Sequence, residues 1–126
     1  MVKEFHIKFN HPVSSTPKPL DIDRVEKRYS WILEEINELK EATKNNDIYE
    51  QVDAFIDVIY FALGGLVEIG VPPANIFEIV QNANMSKLWE DGKPRFRESD
   101  GKVIKPPHWE DPHNKIVEAI NEMMEG

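Results

Sequence analysis

Glu50, Asp53 and Asp57 stand inside an otherwise apolar stretch, and residues 45–86 around them contain no Lys, Arg or His. At 3.6 residues per helical turn these three positions fall within about 60° of one another, so their carboxylates form one stripe. Around the stripe lie Val52, Phe55, Ile56, Val58, Ile59 and Phe61, followed by Leu63, Leu66 and Val67. A helix apolar on nearly every face is expected to be buried, and its acidic stripe at least partly with it. Unpaired buried carboxylates are costly, and no base close in sequence can neutralise these. An oxygen-seeking divalent cation, Mg²⁺ or Mn²⁺, fits such a donor set. The chemistry this points to is metal-dependent.

A second acidic set precedes the first. On a helix, Trp31, Glu35, Glu38 and Ala42 line up as one stripe, with Glu34 angularly adjacent. The stripe borders an apolar face made by Ile32, Ile36 and Leu39. Were the two helices packed antiparallel across their short connection, four or five carboxylates would converge in one groove. Like charges that close call for cations. Plainer readings exist for some of these residues. Glu34, Glu35, Glu38 and Glu41 also suit a solvated helix face, Glu50 suits a capping box with Asp47, and Glu68 suits an ordinary polar position near a helix end. Asp53 and Asp57 resist such readings, because Asp is a poor helix former and both lie mid-helix among apolar side chains.

The elements that must position these groups follow from caps and periodicity. Residues 2–10 fit either a short amphipathic helix or a strand, and residues 11–20, with three prolines and two serines, form an extended connector. Asp21 is placed to cap a long helix reaching about Thr43, with Val25, Tyr29, Ile32, Ile36 and Leu39 as its apolar face. Asp47 opens the next helix and Gly70 closes it. Pro72 and Pro73 suit the first turn of a third helix over roughly residues 74–85. Residues 86–111 are rich in Gly, Pro, Lys and Arg, and Asp100-Gly101 between Phe96 and Val103-Ile104 reads as a small hairpin. Asp111-Pro112 introduces a last helix. The expectation is an all-α helical bundle of four to five helices in a single domain, residues 1–126, with a basic loop or small hairpin before the last helix.

Composition narrows the function classes. A net charge of −8 over 126 residues argues against a nucleic-acid polymer as partner, though not against one nucleotide held through metal ions. No apolar stretch reaches the length of a membrane span, residues 3–18 lack a signal-peptide core, and the absence of cysteine fits a cytoplasmic location. The very apolar second long helix asks for more cover than one short chain provides, so a homodimer or homotetramer is expected.

The motifs resemble those of a known superfamily. Glu34-Glu35-Ile36-Asn37-Glu38 matches an E-E-x-x-E element and Glu50-Gln51-Val52-Asp53 an E-x-x-D element. Both belong to the all-α nucleoside triphosphate pyrophosphohydrolases, which include MazG-like enzymes, dimeric dUTPases and phosphoribosyl-ATP pyrophosphohydrolases. The segment Asn84-Met85-Ser86-Lys87-Leu88 and the tail with Asp91-Gly92-Lys93-Pro94 and Asp100-Gly101-Lys102 resemble a MazG-like subgroup, in which the N-terminal segment is helical. The resemblance implies Mg²⁺-dependent hydrolysis of a nucleoside triphosphate to monophosphate and pyrophosphate, with Mn²⁺ a possible substitute. It implies Glu35, Glu38, Glu50 and Asp53 as metal ligands and Asp57 as a further ligand or water-positioning residue. Placing Asp57 in the aspartate position of E-x-x-D would put Ala54 where the glutamate belongs. Glu34 is implied as a base or outer group, and Asn84 and Lys87 as phosphate or sugar contacts. Lys93 and Arg95 could close over phosphates, and Trp31 could stack on a base or serve the core. The competing reading is a non-catalytic helical module that binds nucleotide or assembles with itself.

Overall fold

The computed structural model describes the whole chain, Met1–Gly126. Five helices account for its regular structure: α1 Val2–Lys8, α2 Ile22–Lys44, α3 Ile48–Ile69, α4 Pro73–Met85 and α5 His113–Glu125. The all-α expectation holds. The chain forms two compact units, Met1–Pro72 and Pro73–Gly126.

In the first unit, residues 2–10 resolve as helix rather than strand. Phe5 and Phe9, one turn apart, stack with ring centres 4.4 Å apart, a contact that helical spacing supplies and strand spacing does not. The turn between α2 and α3 is tight. Asn46 takes a left-handed φ of 52°, tolerable for Asn, and the Asp47 N–H bonds back to the Ala42 carbonyl at 2.9 Å. Asp47 Oδ1 accepts from the N–H groups of Tyr49 and Glu50 at 3.0 and 3.1 Å. The expected capping box is therefore only half formed, because the Asp47 N–H already has its partner and does not take the Glu50 carboxylate. Asp21 occupies the N-cap of α2 without accepting through its side chain. At the far end of α3, Gly70 adopts the left-handed conformation (φ 85°) that only glycine takes cheaply.

The proline-rich connector has a structural task. Pro cannot sit in a helix interior, so residues 11–20 run extended beside the end of α3. There the Ser14 and Lys18 N–H groups donate to the Val67 and Ile69 carbonyls at 3.2 and 2.9 Å. Those carbonyls belong to the last helical turn and have no partner inside the helix.

The α2–α3 pair is antiparallel: Arg28 near the start of α2 meets Glu68 near the end of α3, and Thr43 at the end of α2 meets Gln51 at the start of α3. Its fully buried apolar residues are small, Ala42 and Ala54, joined by Val71. The most deeply buried large groups are polar. His6 is 1% exposed and Glu68 2%. Glu68 is not the ordinary helix-end residue that its position suggested. It accepts from Arg24 Nε at 2.7 Å and from Arg28 Nε. Arg28 Nη2 in turn reaches His6 Nε2 at 3.2 Å, and His6 Nδ1 donates to the Pro12 carbonyl at 2.8 Å. The carbonyl can only accept, so His6 is the Nδ1–H tautomer and its Nε2 accepts from Arg28. Gly64 makes room for this network, since a Cβ there would lie 2.5 Å from Arg28 Nη1 and 3.0 Å from His6 Nε2.

The enclosed α3 expected from its composition is not what one chain builds. Val52, Phe55, Ile56 and Ile59 are each more than half exposed, and Val25, Tyr29 and Leu33 on α2 are open as well. The reason is geometric. Only α2 and the short α1 pack against α3, and two neighbours cannot cover a helix that is apolar all round.

In the second unit, α4 and α5 pack together and the intervening segment is pinned by its tryptophans. Trp109 Nε1 donates to the Ala83 carbonyl at 2.8 Å, and Trp89 Nε1 to the Ile104 carbonyl at 3.0 Å. The expected hairpin shrinks to one antiparallel bridge between Phe96 and Val103, turned at Gly101 with φ 72° and clamped by the Arg97–Asp100 ion pair.

Removing the Glu68 carboxylate would leave the buried Arg28 guanidinium and the partly buried Arg24 one without their counter-charge. Glu68→Ala is expected to destabilise the protein by about 3–5 kcal/mol, against less than about 0.5 kcal/mol for loss of the exposed Glu41–Lys44 pair through Glu41→Ala. Urea unfolding followed by circular dichroism checks the contrast.

Candidate active site

The two acidic stripes meet where α2 crosses the first half of α3. Glu35 is buried, 9% exposed, because it sits on the face of α2 that carries Arg28 and Ala42 into the contact with α3. Asp57 is half-buried, while Glu38 and Asp53 remain exposed beside them. The environment of Glu35 pushes its carboxyl up to about 7. Burial is the largest cause, followed by the adjoining Glu38 carboxyl and then the charges of Asp57 and Asp53. Asp57 is also raised, by burial first and then by Asp53 and Glu38, against a lowering contact from Glu35. These mutual effects place four carboxylates, Glu35, Glu38, Asp53 and Asp57, within one electrostatic neighbourhood. Glu35 Oε2 is enclosed and has no hydrogen-bond partner.

Glu34 and Glu50 are exposed, and neither is among the groups that shift Glu35 or Asp57. Glu50 is free of a capping role, as described above. No three acidic or histidine side chains are gathered tightly enough to coordinate an ion as they stand. The donors nevertheless suit one: every group is a carboxylate, one buried oxygen lacks a partner, and no Lys or Arg makes an ion pair with any of the four.

Trp31, one turn before Glu35, is packed by the chain itself. The Arg28 and Arg24 guanidiniums lie 5.1 and 5.7 Å from its ring centre, and Phe61 and His11 lie at 5.7 and 6.4 Å. Residues 24, 28, 31 and 35 continue one helical stripe, so the cationic end of α2 was signalled by the same periodicity that reveals its acidic end. His11 is held below the usual histidine range, by burial first and then by its neighbours His6, Arg28 and Arg24.

The other candidate residues lie in the second unit. Lys87 Nζ donates to Asn84 Oδ1 at 2.9 Å and stands 5.5 Å from the Trp109 ring centre. Arg95 lies over Trp89 at 3.9 Å and approaches Asp91 at 4.0 Å. Lys93 is exposed at the turn that Asp91 closes by accepting its N–H. The structure thus joins Asn84 to Lys87 and leaves Lys93 and Arg95 on the loop.

Comparison with known proteins agrees with this arrangement. Residues 2–84, which include both acidic stripes, match the family model described as phosphoribosyl-ATP pyrophosphohydrolase. The chain belongs to that family. It is a MazG-like, all-α pyrophosphohydrolase, a hydrolase acting on acid anhydrides. A crystal structure from Exiguobacterium sp. 255-15, given provisionally as an NTP pyrophosphohydrolase, is similar at 35% identity with a TM-score of 0.58. The alignment covers 98% of this chain and 94% of that one. No curated protein matches the chain.

The raised Glu35 carboxyl has a stability consequence. A carboxylate whose folded pKa exceeds its unfolded value, here about 7 against 4.5, favours folding below the unfolded pKa. That contribution is lost as pH rises through the folded one. Glu35→Gln, which mimics the protonated form, is therefore expected to raise the melting temperature of the pyrophosphohydrolase in EDTA at pH 8 and to leave it nearly unchanged at pH 5. Thermal unfolding of both proteins across that range tests the sign.

Proposed function

We propose that the protein hydrolyses a (deoxy)nucleoside triphosphate to the monophosphate and pyrophosphate in a Mg²⁺-dependent reaction, consistent with clearing nucleotides from the pool. The observation that carries this reading is the gathering of Glu35, Glu38, Asp53 and Asp57 at the α2–α3 crossing with no cationic partner. In the proposed site these four, with Glu50 one turn before Asp53, would hold Mg²⁺ or Mn²⁺, which would supply charge neutralisation for the phosphate chain and a more acidic bound water. An acidic groove repels a polyanion, so substrate and metal binding depend on each other.

The chain's own residues have the remaining tasks. Water attacks phosphorus, the anhydride bond to the leaving pyrophosphate breaks, and the proton released by the water passes to a carboxylate, for which exposed Glu34 is the candidate base. Asp57 orients that water or adds a ligand. Within the second unit, Asn84, Lys87, Lys93 and Arg95 carry a carboxamide and three cations of the kinds that bind phosphate oxygens. The sequence has no glycine-rich phosphate loop, so helix-borne carboxylates must replace that cradle.

The open apolar faces of α2 and α3 support self-association as a homodimer or homotetramer, which would enclose Val52, Phe55, Ile56 and Ile59. The same faces are what favour the alternative reading, a module that assembles without turning over nucleotide. Incubation of the purified protein with a panel of dNTPs and NTPs decides between them. Monophosphate and pyrophosphate are expected only with Mg²⁺ or Mn²⁺, with activity lowered at least about 100-fold in Glu38→Ala and Asp53→Asn. No turnover of any nucleotide by the folded, metal-supplied protein would remove the enzymatic reading. Sedimentation equilibrium is expected to give two or four chains per particle, and Phe55→Glu to shift it toward one.

A further inference from the structure

The second unit contains a cavity of about 770 Å³ whose lining includes Asn82 from α4, Trp89 and Arg95 from the loop, Trp109, and Lys115 from α5. That volume is ample for a drug-sized organic molecule. Its two indoles are fixed in place, because both ring N–H groups are spent on backbone carbonyls, Trp109 on Ala83 and Trp89 on Ile104. They can therefore offer a ligand only ring surface. Arg95 lies over Trp89 at 3.9 Å, and Lys105 stands 4.5 Å from the Trp109 ring centre, so cations border both aromatic walls. Asn82 and Lys115 make no side-chain hydrogen bond or ion pair within the protein and are free to serve a ligand.

The charges limit what can enter. Lys115 and Arg95 are opposed by Glu90, Glu110 and Asp111 in the same lining. Asp111 is partly occupied in accepting the His113 N–H. A triphosphate chain would meet more repulsion than this mixture can offset, whereas one phosphate can be held by two cations. Aromatic walls, a free carboxamide and one or two available cations together suit a planar heterocycle carrying a single phosphate.

We infer that this cavity, built from residues of the second unit, is a binding site for a nucleoside monophosphate. Such a ligand needs no metal here, because the cations are the protein's own. Asn82 and Lys115 have no role in the proposed hydrolysis, so variants at these two positions test binding here apart from turnover. Since a monophosphate is also a product of the proposed reaction, occupancy of this cavity would report that product's concentration.

Titration of the full-length protein in EDTA with AMP and dUMP, followed by calorimetry and by tryptophan fluorescence, tests the inference. Saturable binding is expected for at least one of the two, with quenched indole emission. The dissociation constant should rise roughly tenfold in Lys115→Ala, as for the loss of one charge-assisted contact, and rise again in Asn82→Ala. Both residues lack partners in the fold, so these variants should retain the parent's circular dichroism and melting temperature. No saturable binding of either monophosphate, equal binding of the uncharged nucleosides, or unchanged affinity in both folded variants would overturn it.

Discussion

Glu68 lies almost wholly out of water between two guanidiniums, and the architecture of the first unit follows from what that costs. Burial alone would raise its carboxyl. The hydrogen bonds from Arg24 and Arg28, with their charges, outweigh burial and hold it below the usual glutamate range. Meeting that requirement fixes α2 against α3 in rotation and in height. It also recruits α1, since Arg28 uses a further nitrogen on His6, which is anchored through Pro12 to the connector. Gly64 is small because the guanidinium passes where a side chain would be. In a unit whose buried apolar residues are mostly alanines, this polar network specifies the packing that a larger aliphatic core would otherwise specify.

The α2–α3 interface is electrically polarised along its length. At one end an acid is surrounded by cations and kept ionised. At the other end four acids face one another without a cation, and the buried one is driven toward neutrality. The two ends are carried by the same two helices, with Trp31 between them touching the guanidiniums on its own stripe and lying one turn from Glu35. Rigidity and reactivity are thus divided. The satisfied end determines geometry, and the unsatisfied end, constrained by that geometry, is left with unspent capacity for a ligand.

Much of this was legible in the sequence, and what was hidden has a common cause. Local signals worked: Asp47 and Gly70 mark the limits of α3, the Pro72-Pro73 pair marks the start of α4, and the spacing of Glu35, Glu38, Asp53 and Asp57 forecasts their convergence. Pairings across distance did not announce themselves. Arg28 and Glu68 are separated by 40 positions, and Glu68 read alone is an unremarkable acid near a helix end. Extending the Trp31–Glu35 stripe backward to Arg28 and Arg24 would have exposed the cations waiting for it. Composition reports that α3 wants more cover than one short chain provides, while only topology shows where that cover is missing, at Val52, Phe55, Ile56 and Ile59. The Glu50 capping reading failed because the Asp47 N–H had been claimed by Ala42.

The turn between α2 and α3 has a bearing on which sequence changes this protein can tolerate over evolutionary time. Asn46 and Asp47 join the helices with almost no slack. Each residue inserted or deleted there would rotate α3 by about 100° about its own axis. One such event would carry Asp53 and Asp57 away from Glu35 while leaving every carboxylate in place along the chain. A single insertion or deletion at this junction is therefore a larger change to the site than a substitution of either residue that fills it.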